Sequence, residues 1–284
     1  RSLGSFSHPN TLAMYVDIIL PIVWICMLEN VIPRRWIWPA LTGLGLGFIS
    51  VIFTKSRAAI VMMPLMMTGI TLLSLLWRPK VNKLRLLLPA ALAVCIVFLL
   101  AAPRIIARFQ KAPEESAETR KYFNDAALAI ASDSHLGCGI NQYSWTIENT
   151  DYYWYVYPDM ADMPDREAFR ESPSGQSRLG TVHNIYLLFL AETGWVGSVF
   201  FILFLVRILL LNAYLLLRVR DRIDHAVLLG AIGAFSLLHV HGMLEWVFRQ
   251  TQPIYLFFIV AGMIAAIARD NRMTRRMSSK QSAE

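Results

Sequence analysis

Apolar residues run through the chain in seven stretches, at 11–29, 36–54, 58–77, 84–102, 184–217, 226–242 and 253–268, interrupted only by scattered polar positions. Most approach or exceed the roughly 18 apolar residues that an α-helix needs to cross a bilayer. The pattern predicts about seven transmembrane helices. The fifth is long enough to tilt or to project from the bilayer. The sixth is short for a full span, and the segment after it would complete it. Pro21, Pro64 and Pro89 fall inside spans, where neighbouring helices satisfy the freed carbonyls. Between the fourth and fifth spans lies a long polar loop, 103–183. Within it Glu114, Glu115 and Glu118 suit a helix start. Tyr122, Phe123, Ala126, Ala127 and Ile130 follow at three-to-four spacing, which predicts an amphipathic helix on the membrane surface or against the bundle. "GCGIN" would end it.

Composition agrees with this reading. The 284 residues are 56% hydrophobic and only 17% charged, which favours an all-α integral membrane protein over a soluble bundle. The expected organisation is one membrane domain over 1–284, with four spans in 1–102, a large periplasmic loop at 103–183, three spans in 184–268 and a basic cytoplasmic tail at 269–284. The chain opens on Arg1 without a signal-peptide pattern and reads as the later part of a longer protein. Cys26 and Cys95 lie in apolar runs and Cys138 stands alone in the loop, so no disulfide framework is expected.

Charge sets the direction of threading. Arg34 and Arg35, then Arg78, Lys80, Lys83 and Arg85, then Arg218, Arg220 and Arg222, and finally the tail from Arg269 through Lys280 share one side, which the positive-inside rule makes cytoplasmic. The loop 103–183 holds twelve acids and eight Lys or Arg, a net −4, so the rest of the +7 chain carries +11. The basic balance is therefore a topology signal, and nucleic-acid binding need not be invoked. The loop faces outward, which in a bacterium means the periplasm or the cell exterior.

Outward-facing polar groups then stand out. Lys55, Ser56 and Arg57 form a very tight turn between two apolar helices. An arginine at mid-membrane costs about 2.5–3.5 kcal/mol on insertion scales, less near the interface. The pair either snorkels to the headgroups or clamps an anion, since a guanidinium fork fits phosphate oxygens. Arg120 on the expected amphipathic helix is either a surface charge or a second anion ligand. Near its end the loop reads "RLGTVHN", with Arg178, His183 and Asn184 at the mouth of the fifth span. His183 is either a hydrogen-bonded structural residue or a base, its ordinary pKa near 6.5 permitting proton uptake at neutral pH. Asn184 suits a helix cap better than a sugar contact. In "HVHGMLEWVFRQ", His239, His241 and Glu245 lack tetrahedral ligand spacing, so no metal is expected. Glu245 and Arg249 stand four apart and would pair on a helix facing the outer cavity. Asp17, deep in the first span, must face protein or water. Seven Tyr and Trp residues between 143 and 157 form either an interface belt or a sugar-stacking surface. No Walker loop or dinucleotide fingerprint is present, and an outward-facing reaction has no ATP, so the substrate must carry its own leaving group.

Four stretches together resemble the O-antigen ligase and O-antigen polymerase family. They are "GSFSHPNTLAMY", "SRAAIVMMP", "TRKYFNDAALAIASDSHLGCGIN" and "HNIYLLFLAETGWVG". Ser134-His135 stands where the family pattern carries proline before Leu-Gly. The resemblance implies a GT-C-like membrane glycosyltransferase, usually built from ten or more spans, that needs neither cofactor nor metal. It would move a glycan from undecaprenyl diphosphate to a hydroxyl of another glycan, of lipid A–core or of a protein. It assigns diphosphate binding to Arg57 and Arg120 and acceptor activation to His183, with Lys55, Ser56, Asn184, Arg178, His241, Glu245 and Arg249 as possible cavity-lining residues. Inversion at the anomeric carbon is expected. The aromatic loop leans the reading slightly toward polymerase over ligase. The competing class is a transporter or flippase that moves lipid-linked glycan without forming a bond; it predicts mid-membrane charges and internal symmetry.

Overall fold

A computed structural model describes residues 6, 8–79, 81–110, 114–177 and 180–281. The described residues form helices and turns, with no strand among them. The helices are α1 (Pro9–Leu28), α2 (Ile37–Thr54), α3 (Arg57–Trp77), α4 (Val81–Gln110), α5 (Glu114–Asp133), α6 (Tyr143–Asn149), α7 (Tyr153–Val156), α8 (Arg166–Glu171), α9 (Pro173–Gln176), α10 (Ile185–Leu216), α11 (Arg222–Gly242) and α12 (Thr251–Gln281). Six segments are long and apolar enough to cross a membrane: α1, Arg34–Thr54, α3, α10, α11 and Thr251–Asn271. The expected span 84–102 lies inside α4, which continues unbroken through Pro103 to Gln110, so the polar connection begins later than 103. Several α4 side chains fall outside the description. Of the others, Leu88, Leu92, Leu99 and Leu100 are more than 60% exposed, as suits a helix solvated by lipid tails.

Two boundaries differ from expectation for physical reasons. The sixth span is not completed from behind. It is extended in front, because Asp221 caps α11 by accepting hydrogen bonds from the backbone N–H groups of Ile223 (2.8 Å) and Asp224 (3.0 Å). These bonds hold the Asp221 carboxyl below its usual range. The fifth span is not one rod. α10 breaks at Gly194, whose φ of 63° and ψ of −169° no ordinary L-residue tolerates. At the other end of the chain α12 runs on as helix through Gln281, carrying the expected basic tail with it.

The chain forms two compact units. The first comprises residues 1–110, 207–241 and 250–284, the second residues 111–206 and 242–249. In the first, α11 packs close on α1: a methyl group at Gly230 would lie 2.6 Å from Ile22 Cα, so only glycine lets the two backbones approach this far. The Trp24 indole N–H donates to Thr71 Oγ1 at 2.7 Å and ties α1 to α3. The basic residues sort to one end of this unit. There Lys83 Nζ reaches Glu29 Oε1 at 2.6 Å, Ser74 Oγ at 2.8 Å and Ser74 O at 2.9 Å. Arg222 donates to the Asn30 carbonyl and Arg78 to the Arg220 carbonyl. At the opposite end the Thr11 hydroxyl donates to Gln250 Oε1 at 3.0 Å. Within this unit the helix ends therefore alternate as the charge pattern predicts.

The second unit has its own core. Phe123, Ala126, Ala127 and Ile130 of α5 are buried, the expected stripe, while Tyr122 stays partly exposed and donates to Glu118. The stripe packs on α7. The aromatic run supplies much of this core. Tyr153 stacks on Tyr157 (5.0 Å) and meets Trp154 edge-on, and Tyr157 meets Phe169 edge-on. Buried Tyr143 donates its hydroxyl to the Phe123 carbonyl at 2.7 Å, and burial pushes that phenol well above its ordinary pKa. Four of the seven aromatics, Tyr143, Tyr153, Trp154 and Tyr157, are thus packing residues, neither belt nor sugar platform. Trp145 and Tyr155 remain exposed.

Candidate functional site

A buried carboxylate organises the polar side chains of the second unit. Glu245 is 4% exposed. Its Oε2 lies 3.1 Å from Nδ1 of His183, and its Oε1 accepts from Arg120 Nη2 at 3.3 Å. The His183 ring also stacks on Trp246, with centroids 5.0 Å apart and planes 23° off parallel. Both contacts restrict the ring. With an ionised Glu245 as acceptor, Nδ1 carries the proton and the Nε2 lone pair is left available. Among the described residues nothing bonds Nε2, and the side chain is 33% exposed. Arg120 is 35% exposed and spends one N–H on Glu245, so further donors remain for an incoming anion.

Local structure explains how these groups arrive. Asn184 caps α10, its Oδ1 accepting from the N–H groups of Tyr186 (3.0 Å) and Leu187 (3.3 Å). That cap fixes the chain direction one residue after His183. Glu245 follows the end of α11 at Gly242, in a turn that leads into a 3-10 segment, Val247–Arg249. The expected Glu245–Arg249 pairing required a continuous helix, which this segment lacks. Arg249 instead forms an ion pair with Glu192, a 4% exposed carboxylate on α10.

The first part of α10 is held by a clasp. The break at Gly194 frees backbone carbonyls, and the turn after α5 takes them up. Cys138 N–H donates to Ala191 O and Gly139 N–H to Glu192 O, both at 2.9 Å. Gly137 and Gly139 adopt positive φ to make that turn. A Cβ on Gly194 would fall 1.9 Å from His135 O. Two of the sequence stretches, "DSHLGCG" and "ETG", are the two halves of this one joint. The departure at Ser134-His135 is accommodated, with the Ser134 hydroxyl donating to Gly137 O at 3.0 Å. Gly194→Ala is accordingly expected to destabilise the protein by at least about 1–3 kcal/mol, the strain of a side chain in this backbone region. Thermal unfolding of the variant in detergent, read against the parent, checks it; an unchanged midpoint would mean the joint relaxes freely.

The remaining expected residues lie elsewhere or outside the description. Arg57 begins α3 after the two-residue turn Lys55-Ser56, in the first unit. Lys55 ends α2 in the left-handed conformation (φ 58°) and is exposed, while Ser56 is buried. Within its unit, no described carboxylate pairs with Arg57. His241 is in the first unit too, where its Nδ1 lies 2.7 Å from Asp17 Oδ2, which gives the buried Asp17 its partner. Arg178 lies outside the described residues. The sequence pattern points to Glu245 as a cavity residue paired with Arg249 and assigns Glu192 no role. The available signal was a lone acid in each of two apolar surroundings, since such a carboxylate requires a specific partner.

A family model described as O-antigen ligase matches residues 42–202, more than half of the 284 residues. That interval contains Arg57, Arg120, Glu192 and His183; Glu245 lies beyond it. No curated protein matches the chain, and no solved structure does.

Proposed function

The chain belongs to the O-antigen ligase family, and from that premise we propose that it transfers a glycan from undecaprenyl diphosphate to an acceptor hydroxyl on the periplasmic side of the inner membrane. The observation that carries this reading is the hydrogen-bonded line from Arg120 through Glu245 to His183, which leaves one basic nitrogen and one guanidinium edge open. In the reaction, His183 Nε2 takes the proton from the acceptor hydroxyl. The oxygen forms a bond to the anomeric carbon as the bond to the diphosphate breaks, and the diphosphate departs with the electron pair. Attack opposite the leaving group inverts the anomeric centre. Glu245 holds the ring in the competent tautomer and stabilises the imidazolium that forms. Arg120 stabilises the charge developing on the diphosphate.

Arg57 is proposed as a second diphosphate ligand, on the strength of the "SRAA" resemblance and of its place at the start of α3, where no carboxylate among the described residues of its unit pairs with it. Neither arginine needs a metal beside it to neutralise the leaving group. The two are tested with purified protein and a lipid-linked oligosaccharide donor. Arg57→Ala and Arg120→Ala are each expected to reduce transfer by about 10²–10³-fold, the range for losing one charge-stabilising donor. Arg57→Lys should keep the charge, lose the planar fork and retain partial activity. Wild-type rates in Arg57→Ala would remove that residue from the site.

The acceptor is proposed to be a second lipid-linked glycan, making the enzyme a polymerase, with lipid A–core or a protein hydroxyl as the other acceptors that the same chemistry serves. Supplying each acceptor in turn to the same assay separates them. The carrier reading has one observation in its favour: Asp17 and His241 are a buried titratable pair within spanning helices, an arrangement suited to proton-linked movement. Formation of a new glycosidic bond by the purified protein decides against it.

A further inference from the structure

An arginine sits where a membrane-spanning helix least tolerates one. Past its break, α10 runs from Trp195 to Leu216. At 1.5 Å per residue Arg207 lies about 18 Å from one end of that run and about 14 Å from the other. Both distances place its backbone inside the roughly 30 Å hydrocarbon layer. The surrounding face is apolar and outward, with Leu203 57%, Phe204 43% and Leu210 63% exposed. Arg207 is itself exposed, and among the described residues it has no ion-pair or hydrogen-bond partner. A charge at this depth is unfavourable unless it escapes to the interface or meets an anion. Snorkelling brings the guanidinium only part of the way from such a depth.

The structure supplies a path for the anion. A groove of about 400 Å³ opens beside Arg207 between α10 and α12, entirely within the first unit. Its walls are Leu210, Leu211 and Ala268, and its polar groups besides Arg207 are Tyr214 and Asn271. Residues 207, 211 and 214 stand at the spacing of one helix face. In the turn after α10, Arg218 lies over the Tyr214 ring, 5.2 Å from its centroid, so a second cation stands beside this lining residue. The end of α10 just past Tyr214 belongs to the basic end of the unit, where Arg78 donates to the Arg220 carbonyl.

We propose that this groove binds an anionic phospholipid of the bilayer, with its phosphate on Arg207 and Tyr214 and an acyl chain along the leucine wall. Charge complementarity selects the headgroup, and the apolar wall at this depth selects a lipid over a hydrated inorganic ion. The proposal is independent of the transfer chemistry, because it concerns different residues and its readout is bound lipid.

The full chain is reconstituted in nanodiscs of phosphatidylcholine with an equal share of phosphatidylglycerol, and the lipid retained after gentle release is weighed by native mass spectrometry. Phosphatidylglycerol is expected to be retained over phosphatidylcholine by about tenfold or more. Arg207→Leu should remove the preference and Arg207→Lys should keep part of it. Leu211→Trp, which leaves the charge and fills the groove, should lower retention of both lipids. Equal retention of the two lipids by the parent protein, or an unchanged preference in Arg207→Leu, overturns the proposal. So does retention of free glycerol phosphate equal to that of the lipid. A dimer that depends on Arg207 and carries no lipid would likewise assign the groove to a second copy of the chain.

Discussion

Alanine at His183 is expected to reduce transfer from a lipid-linked donor by roughly 10²–10⁴-fold, the usual contribution of a positioned general base. The size follows from what the ring does on the proposed mechanism. Glu245 fixes the proton on Nδ1, and the stack on Trp246 fixes the ring plane, so Nε2 is presented as the basic nitrogen without a search among orientations. Removing the imidazole removes the base and leaves Glu245 its contact with Arg120. Insertion and folding should therefore survive, and the amount of membrane-integrated protein must be measured beside the rate. Glu245→Gln separates orientation from proton transfer. It keeps the shape and a weaker acceptor but loses the charge that stabilises an imidazolium, so a smaller fall is expected, with the loss concentrated in kcat. Undiminished transfer by His183→Ala, at normal protein levels, sinks the assignment of the base.

The largest effect on stability is expected within the first unit, at Lys83. Lys83→Met should destabilise the protein by about 3–5 kcal/mol, because it removes one member of a buried ion pair. Both side chains of the Lys83–Glu29 pair are fully buried. The ammonium uses its three donors on Glu29 Oε1, Ser74 Oγ and Ser74 O. Without it the Glu29 carboxylate keeps a single neutral donor, the Ser74 hydroxyl at 2.7 Å. The double variant Lys83→Met with Glu29→Met should recover most of the loss, since apolar replacement of a whole buried pair is often neutral. Thermal unfolding of the two variants in one detergent gives the comparison. A double variant as unstable as the single would show that packing, not the orphaned charge, sets the effect.

How legible these features were in the sequence depends on the range of the forces behind them. The spans were legible because each apolar run is a local property, and α2 and α3 begin and end within a residue of the expected positions. The cap by Asn184 was legible for the same reason. The break at Gly194 was hidden, because the apolar run resumes at Trp195 after only Glu192 and Thr193, and the turn at 134–139 is what makes the broken conformation favourable. Glu245 was misassigned by a local rule. Its neighbour four residues on looked like its partner, whereas its contacts come from residues 62 and 125 positions away. The aromatic run showed its composition but not its orientation, and the buried faces of Tyr143 and Tyr153 could be read only once α5 and the segment at Gly175 lay over them. Arg57, Arg120 and His183 were flagged by charge against the topology rule and by resemblance, and of these the second unit joins Arg120 and His183 through one carboxylate.

The clasp at Gly194 also constrains biogenesis. Cys138 and Gly139 leave the ribosome well before Ala191 and Glu192, the residues whose carbonyls they require. Glu245, on which both Arg120 and His183 depend, is translated later still. A nascent chain that has threaded only as far as the polar loop therefore lacks the carboxylate that joins Arg120 to His183, and the line is completed only once α11 and the turn after it have been made.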